Sequence, residues 1–474
     1  MKRLYFQVHR PELAEEADEG QEARLEQGEE VGLLAHSRFP GGVLVGFENG
    51  IDDALANTAA LMDDSSVPTI FEATFQHSNL LVRVDILQRR PKGRWRLIEV
   101  KSSVEVKPHY LYDLAIQYHV LSACGLYISS AGLMHLNRNY RYDGKQHDLR
   151  MLFTIRDQTK RIKKLDADLP RLLKAQRKTL AQATPPDISP GPQCTDPYPC
   201  EFFGHCNTEP PEHHISFLPR LSVKKQQALA ELGVSLIPDI PEDFPLTELQ
   251  ARICASVTTG HTWVSETLLT ELLELKYPLC FMDFESVYPA IPRFAGMWPY
   301  SQIPFQWSVH RQLTPHSELE HFEFLADNES DPRLKFIESL CGVVGKRGHI
   351  VVYNAAFESQ RLSELTDWLP VYKERIQNIR ERLWDLLPFV KAHVYHPNFH
   401  GSFSIKSVLP ALVPDMTYEG MEVSEGGQAG LAWDEMIRGE LDPTERQRLK
   451  DALLAYCRQD TLAMVRILER LRGT

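Results

Sequence analysis

Two stretches of this chain set charged residues two apart on strand-like runs, and that spacing is where chemistry can begin. In "FMDFES", Asp283 and Glu285 interrupt an apolar run, and a strand of period two turns both to one face. Farther on, "YNAAFESQRL" ends a predicted strand with Asn354 and Glu358, and "AYCRQDTLAM" places Tyr456 and Asp460 one helical turn apart. Four acids from separate segments can hold two divalent cations about 4 Å apart, one activating water and the other stabilising a leaving oxygen. Tyr456 would align the water, and Asp385 in "LWDLLPFV" is a further acid near this set.

The second set lies upstream. Asp85 stands near the end of "LLVRVDIL", and Glu99 and Lys101 stand two apart in "RWRLIEVKSS". Two carboxylates and a lysine at a sheet edge suit Mg²⁺ or Mn²⁺, with the lysine positioning water or stabilising charge on a phosphate. The backbone carbonyl of Val100 is expected to face the same metal, with Glu72 one strand earlier and Gln117 on the next helix orienting water and ligands. Alternating charges on an exposed strand are the plainer explanation of a lone E-x-K. The preceding acid and the D-x-x-x-Q pattern of the following helix argue against it here.

A third set is sulfur. "CTDPYPCEFFGHC" spaces Cys194, Cys200 and Cys206 at equal six-residue steps. Soft metals usually take four ligands, and the residues themselves leave open zinc completed by His205 or thiols without a metal. Neighbouring ligands at His205 and Cys206 are awkward for zinc. Lys163, Lys164, Lys174, Arg177 and Lys178 lie on a basic helical stretch that would track a phosphate backbone, unless it is only a solvated face.

These residues need elements to hold them. With 474 residues, 43% hydrophobic and 24% charged, the chain is too long for one ordinary domain. The pattern predicts an α/β protein. "TIFEATFQ", "LLVRVDIL", "RWRLIEVKSS" and "AGLMHLNRNY" read as strands, with a helix at 110–124 before the last. A basic helical stretch over 161–182 leads to the cysteines, and 215–275 has helical spacing without an obvious strand. Beyond it, "PLCFMDFESV", "FQWSVHRQ", "HFEFLAD" and "IVVYNAAF" read as strands, followed mostly by helices. The boundaries predicted are 1–210, a helical connector at 211–275, and 276–474. A net charge of −12 disfavours indiscriminate polyanion binding, although carboxylates that hold cations are recharged by them. An acidic, charged start unlike a signal peptide, the lack of a membrane-length apolar run and eight scattered cysteines lead us to expect a reduced, cytoplasmic protein with no membrane partner.

The first constellation resembles the RecB-like branch of the PD-(D/E)xK nucleases, the branch of the CRISPR adaptation exonucleases, over about residues 1–210. That resemblance implies a restriction-endonuclease-like domain with Asp85 and Glu99 as metal ligands, Lys101 as the catalytic lysine and Gln117 with Tyr118 as its helix motif. The family often carries a metal-binding histidine before the sheet; here Gly32 stands at that position. His36 fits that metal-binding role in a shifted register, and an ordinary surface histidine is the plainer reading. Many members hold a four-iron, four-sulfur cluster, with three late cysteines and one early one. "CTDPYPCEFFGHC" resembles the trio, and the early cysteine would precede "KRLYF", upstream of Met1. The last two hundred residues resemble DnaQ-like, RNase H-fold 3′-to-5′ exonucleases of the DEDD type, tyrosine subclass. Asp283 and Glu285 match the first motif, Glu358 the second, where that family has Asp, and Tyr456 with Asp460 the third. The connector resembles a helix-hairpin-helix module without its glycine hairpin, and a spacer is the alternative. The whole order resembles an uncharacterised bacterial two-nuclease family carrying a domain of unknown function. It implies a dual metal-dependent nuclease acting on DNA in repair or defence. The alternatives are a nucleic-acid-binding scaffold with inactive centres and an RNA 3′-exonuclease.

Overall fold

The structure is a computed structural model describing residues 1–16, 18–207 and 210–473. It is a mixed α/β protein whose chain forms two compact units, Met1–Thr208 with Tyr288–Ser301, and Glu209–Val287 with Gln302–Thr474. The connector predicted at 211–275 thus falls within the second unit, and a short segment after Val287 belongs to the first.

The first unit holds one six-stranded sheet in sequence order: β1 (Val43–Leu44), β2 (Thr69–His77), β3 (Leu80–Arg90), β4 (Arg94–Lys101), β5 (Tyr127–Leu136) and β6 (Phe153–Asp157). β2, β3 and β4 are antiparallel neighbours, and β4 runs parallel to β5 through the crossover helix Tyr110–Ala123. Alternation along the strands buries both faces. Ile70, Leu87 and Leu97 pack with Leu114 and Leu121 of the crossover helix, whereas Phe71, Ile86 and Ile98 pack with Val31, Ala35, Ala290 and Ile291. Truncating one of these fully buried side chains, such as Ile98→Ala, costs about 2–5 kcal/mol. Tyr300 closes the second face by donating to the Ser102 carbonyl at 2.8 Å. The acidic N-terminal stretch contains the helix Glu19–His36, started by Asp18 accepting the Gln21 N–H. The basic stretch is two helices, Thr159–Asp166 and Leu169–Leu180, the second opening with Pro170 in its first turn, where a missing N–H costs nothing. β1 and β6 are strands that the pattern did not reveal.

In the second unit β7 (Trp263–Val264) comes first, then β8 (Leu279–Val287), β9 (Ile303–Gln312), β10 (Leu319–Leu325), β11 (Ile350–Val352), β12 (Leu383–Asp385) and β13 (Val394–Tyr395). Five of them form a sheet ordered β10-β9-β8-β11-β12, with β8 to β10 antiparallel and β11 and β12 parallel to β8. β7 pairs with β13, so the segment read as strandless contains a short strand. On β8, Cys280, Met282 and Phe284 face a core with Phe336, Ile337 and Leu340 of the helix Arg333–Val344. Period two therefore turns Phe281, Asp283 and Glu285 to the opposite face. There the sheet meets the helix Pro443–Arg472, which starts with Pro443 in its first turn and a capping box between Asp442 and Glu445. No described helix is long and apolar enough to cross a membrane.

Candidate metal centres

The polar residues of β9 fix the register of the helix Pro443–Arg472. Gln306 donates to the Leu453 carbonyl at 2.7 Å, Ser308 pairs with Thr461 at 2.8 Å, and His310 pairs with the same hydroxyl at 2.8 Å. Residues 453, 457, 460 and 461 form one helical stripe, so these bonds turn Asp460 toward the acids of β8. Carboxylate oxygens of Asp283, Glu285 and Asp460 all lie within 4.8 Å of one another. Cys457 fills the space beside them, with its sulfur 3.8 Å from Asp283 Oδ2.

Water reaches Asp283, which is only partly buried, more than its partners. Glu285 and Asp460 are 7% and 8% exposed and Tyr456 is 4% exposed. Burial, reinforced by Asp460, Glu285 and Glu358, holds the Asp283 carboxyl well above its ordinary range. Burial and Asp460 do the same to Glu285. Asp460 is raised by burial to about 6, restrained by hydrogen bonds from Tyr418 and Tyr456 and by the charge of Lys406.

Glu358 stands outside the group that converges within 4.8 Å. The strand expected to carry it stops at Val352, and Glu358 lies in the first turn of the helix Ala356–Trp368. It is 1% exposed, its Oε2 has no hydrogen-bond partner, and burial raises it to about 8. Asp385 is committed to structure instead. Its carboxylate accepts from Asn354 and Ala355 N–H, both at 2.9 Å, and caps the next helix through Leu387 N–H at 3.1 Å. Tyr418, whose hydroxyl donates to Asp460 Oδ1 at 2.5 Å, and Lys406 were missed by the sequence reading. Both follow the last pattern-bearing strand, and neither stands in a spacing that signals a site.

In the first unit, Lys101 lies 2.9 Å from Glu99 Oε1 and 2.8 Å from Asp113 Oδ2. Gln117 donates to Glu99 Oε2 at 2.6 Å. Burial works against the Lys101 ammonium, yet Glu99 and Asp113 hold it above the usual lysine range. Asp85 accepts the Val100 N–H at 2.5 Å, and burial and Glu99 raise it well above its ordinary value. β3 runs on to Arg90, so Asp85 lies within the strand rather than near its end. Glu72 faces the position of Asp85 across the β2–β3 register and has a left-handed backbone (φ 54°), an uncommon conformation inside a strand. Glu72 pairs with Arg83 at 3.3 Å, and burial raises its pKa.

His36 is no ordinary surface residue. Its ring stacks on Phe71 with centroids 4.1 Å apart, Nε2 lies 4.0 Å from Glu72 without a hydrogen-bond partner, and burial lowers its pKa toward the neutral form. The sequence named His36 only through a shifted register; its burial against Phe71 left no periodic sign, because the helix Glu19–His36 has only Val31 and Ala35 buried.

Cys194, Cys200 and Cys206 are partly buried free thiols, and the Cys200 N–H donates to the Cys194 carbonyl at 2.8 Å. Their sulfurs do not converge within 4.8 Å as the oxygens of the three acids do. Burial and the two neighbouring thiols push Cys206 up, while Lys2 lowers it. The His205 ring packs edge-on against Phe6, with centroids 5.2 Å apart. Tyr198, between the first two cysteines, bonds His109 at 3.0 Å beside the crossover helix. Lys163, Lys164, Lys174, Arg177 and Lys178 are all exposed, and Arg177 reaches the Ser78 carbonyl at 2.8 Å.

Residues 280–404 match a family described as a domain of unknown function, DUF2779. That segment contains Asp283, Glu285, Glu358 and Asp385 and stops before Lys406, Tyr418, Tyr456 and Asp460. The chain is 23% identical over 217 residues to an uncharacterised protein of Ureaplasma parvum serovar 3 (strain ATCC 700970). The match covers 41% of this chain and 31% of that protein. No solved structure matches the chain at the level required for significance.

Proposed function

We propose that the protein is a metal-dependent nuclease with two hydrolytic centres acting on DNA, the second removing nucleotides from 3′ ends. The observation that carries this reading is the buried convergence of Asp283, Glu285 and Asp460, with Glu358 buried nearby and one of its oxygens unpartnered. Buried carboxylates without contacting cations are costly when ionised, and a donor set made only of oxygen suits Mg²⁺ or Mn²⁺. Bound there, such cations would activate water and stabilise the leaving oxygen. The chain's own residues do the rest: the β8 acids and Asp460 fix the ligand geometry, and Tyr456 orients water beside Asp460.

The antiparallel β8 to β10 with parallel β11 and β12 supports an RNase H-like, DnaQ-type reading of the second unit. The β2-β3-β4-helix-β5 run supports a restriction-endonuclease-like reading of the first, with Asp85, Glu99 and the Val100 backbone as its metal site and Lys101 as its catalytic lysine. His36, through its free nitrogen beside Glu72, joins that set as a candidate ligand. Three thiols alone leave a four-coordinate metal one ligand short, and His205 packs on Phe6, so an iron-sulfur cluster or zinc there requires a donor beyond the trio.

Digestion of end-labelled single- and double-stranded DNA and RNA with Mg²⁺ or Mn²⁺ tests the reading. Stepwise loss of 3′ nucleotides from DNA is expected. Binding without cleavage in either metal would overturn it in favour of a scaffold, and cleavage of RNA alone would reassign the substrate.

A further inference from the structure

Lys406 is a cation held at a distance from a cluster of buried acids. It lies at the start of the helix Ile405–Leu412, capped by Ser404. Its ammonium is 5.8 Å from the ring of Tyr418 and 5.8 Å from the ring of Tyr456. The two rings meet edge to face at 6.5 Å, and both hydroxyls bond Asp460. Among the described residues no carboxylate pairs directly with Lys406, yet its charge opposes those of Glu285 and Asp460. A lysine free to collapse onto the acids would neutralise one of them and compete with a metal. Here two aromatic faces attract the ammonium and hold it near the acids. A compact charge with rotatable donors in that position suits a phosphate oxygen.

We propose that Lys406 is a phosphate-binding group of this centre, gripping a non-bridging oxygen of the phosphodiester to be cleaved, and that Tyr418 is a positioning residue that fixes the orientation of Asp460. The inference rests on the nuclease reading and names residues that reading does not assign. In the reaction, the oxygen of a water molecule bonds to phosphorus and the P–O3′ bond breaks with its electron pair. O3′ leaves with one of the water's protons, the other passes to solvent, and the terminal nucleotide departs with its 5′-phosphate. Lys406 holds the phosphate through this step without itself exchanging a proton.

The test uses the full chain as wild type, Lys406→Met, Lys406→Arg and Tyr418→Phe, each shown to be folded by circular dichroism. Three quantities are measured: Mn²⁺ affinity by calorimetry, binding of a 3′-hydroxyl oligonucleotide in Ca²⁺ by fluorescence anisotropy, and steady-state removal of its terminal nucleotide in Mn²⁺. Lys406→Met is expected to weaken oligonucleotide binding and raise KM by about tenfold or more, the worth of a charge-assisted hydrogen bond. It should leave Mn²⁺ affinity equal to or tighter than wild type, and Lys406→Arg should restore much of the loss. Tyr418→Phe should weaken Mn²⁺ binding instead. Unchanged oligonucleotide binding in Lys406→Met overturns the phosphate role, and so does an equal loss of Mn²⁺ and oligonucleotide binding. Unchanged Mn²⁺ affinity in Tyr418→Phe overturns the positioning role. If wild type binds in a Lys406-dependent way but releases no nucleotide, the nuclease reading fails while the phosphate site stands.

Discussion

The two acid centres start from the same device, two charged side chains at alternate positions of one strand, and differ in how their charges are answered. In the first unit the charges are answered locally: Lys101 touches Glu99 and Asp113, Arg83 touches Glu72, and a backbone N–H serves Asp85. In the second, Asp283, Glu285 and Glu358 have no ion-pair partner among the described residues, and Asp460 is served by hydroxyls. In one centre a lysine answers the charge of Glu99 directly. In the other, a tyrosine hydroxyl serves Asp460, while burial keeps Asp283, Glu285 and Glu358 shifted toward their neutral forms.

The largest expected effects come from removing one group from each centre. Asp283→Asn should abolish stepwise 3′ removal, a loss of several kcal/mol of transition-state stabilisation, and spare any cleavage by the first unit. Lys101→Ala should do the reverse. If either change eliminates both product patterns in a folded protein, the centres are not independent.

Metal should stabilise the second unit through its acids. Mn²⁺ at a hundred times its dissociation constant should add about 2.7 kcal/mol to unfolding of the chelated protein. Calorimetric scans should show this increment lost in Glu285→Gln. An increment that survives there, and vanishes in Glu99→Gln, would reverse the comparison.

Without metal, pH should act in a direction set by the raised carboxyls. Glu358 at about 8 and Asp460 at about 6 lie above the roughly 4 of unfolded carboxyls, so the folded protein holds more protons in between. Their favourable contribution is present below the unfolded value and is lost as pH rises through the folded ones. Urea midpoints in chelator should therefore fall between about pH 5 and 8, less steeply in Glu358→Gln. A slope identical in that variant would remove Glu358 from the charged cluster.

The smallest effect is expected from Asp113→Asn, which frees one side of Lys101. Its carboxylate is 49% exposed, so stability should change by no more than about 1 kcal/mol. First-unit cleavage should drop several-fold while 3′ removal stays constant. Unchanged cleavage would mean that Glu99 alone places the lysine.

The acids were legible because their spacing carries geometry: two residues on a strand for Asp283 and Glu285, and four on a helix for Tyr456 and Asp460. The α/β alternation was legible for the same reason, through long runs such as β3 and β8. Residues placed by long-range packing were not. His36 ends a helix with only Val31 and Ala35 buried, so its facing side left no periodic trace. Tyr418 lies outside any regular element, and Lys406 opens a helix whose apolar stripe gives no hint of what its polar end faces. The strands β1, β7 and β13 are two residues long, too short for alternation to register.

The segment Tyr288–Ser301 carries a consequence for how this polypeptide can be inherited. It supplies Ala290 and Ile291 to the core of the first unit and Tyr300 to the Ser102 carbonyl, although it is encoded between two strands of the second. No single cut in the gene separates the units. A fragment ending at residue 207 would expose the apolar patch around Val31 and Ile98, and a fragment beginning at 210 would carry an insertion stripped of its neighbours. Recombination that swaps or sheds one half at a single breakpoint damages both, so the two centres are transmitted together.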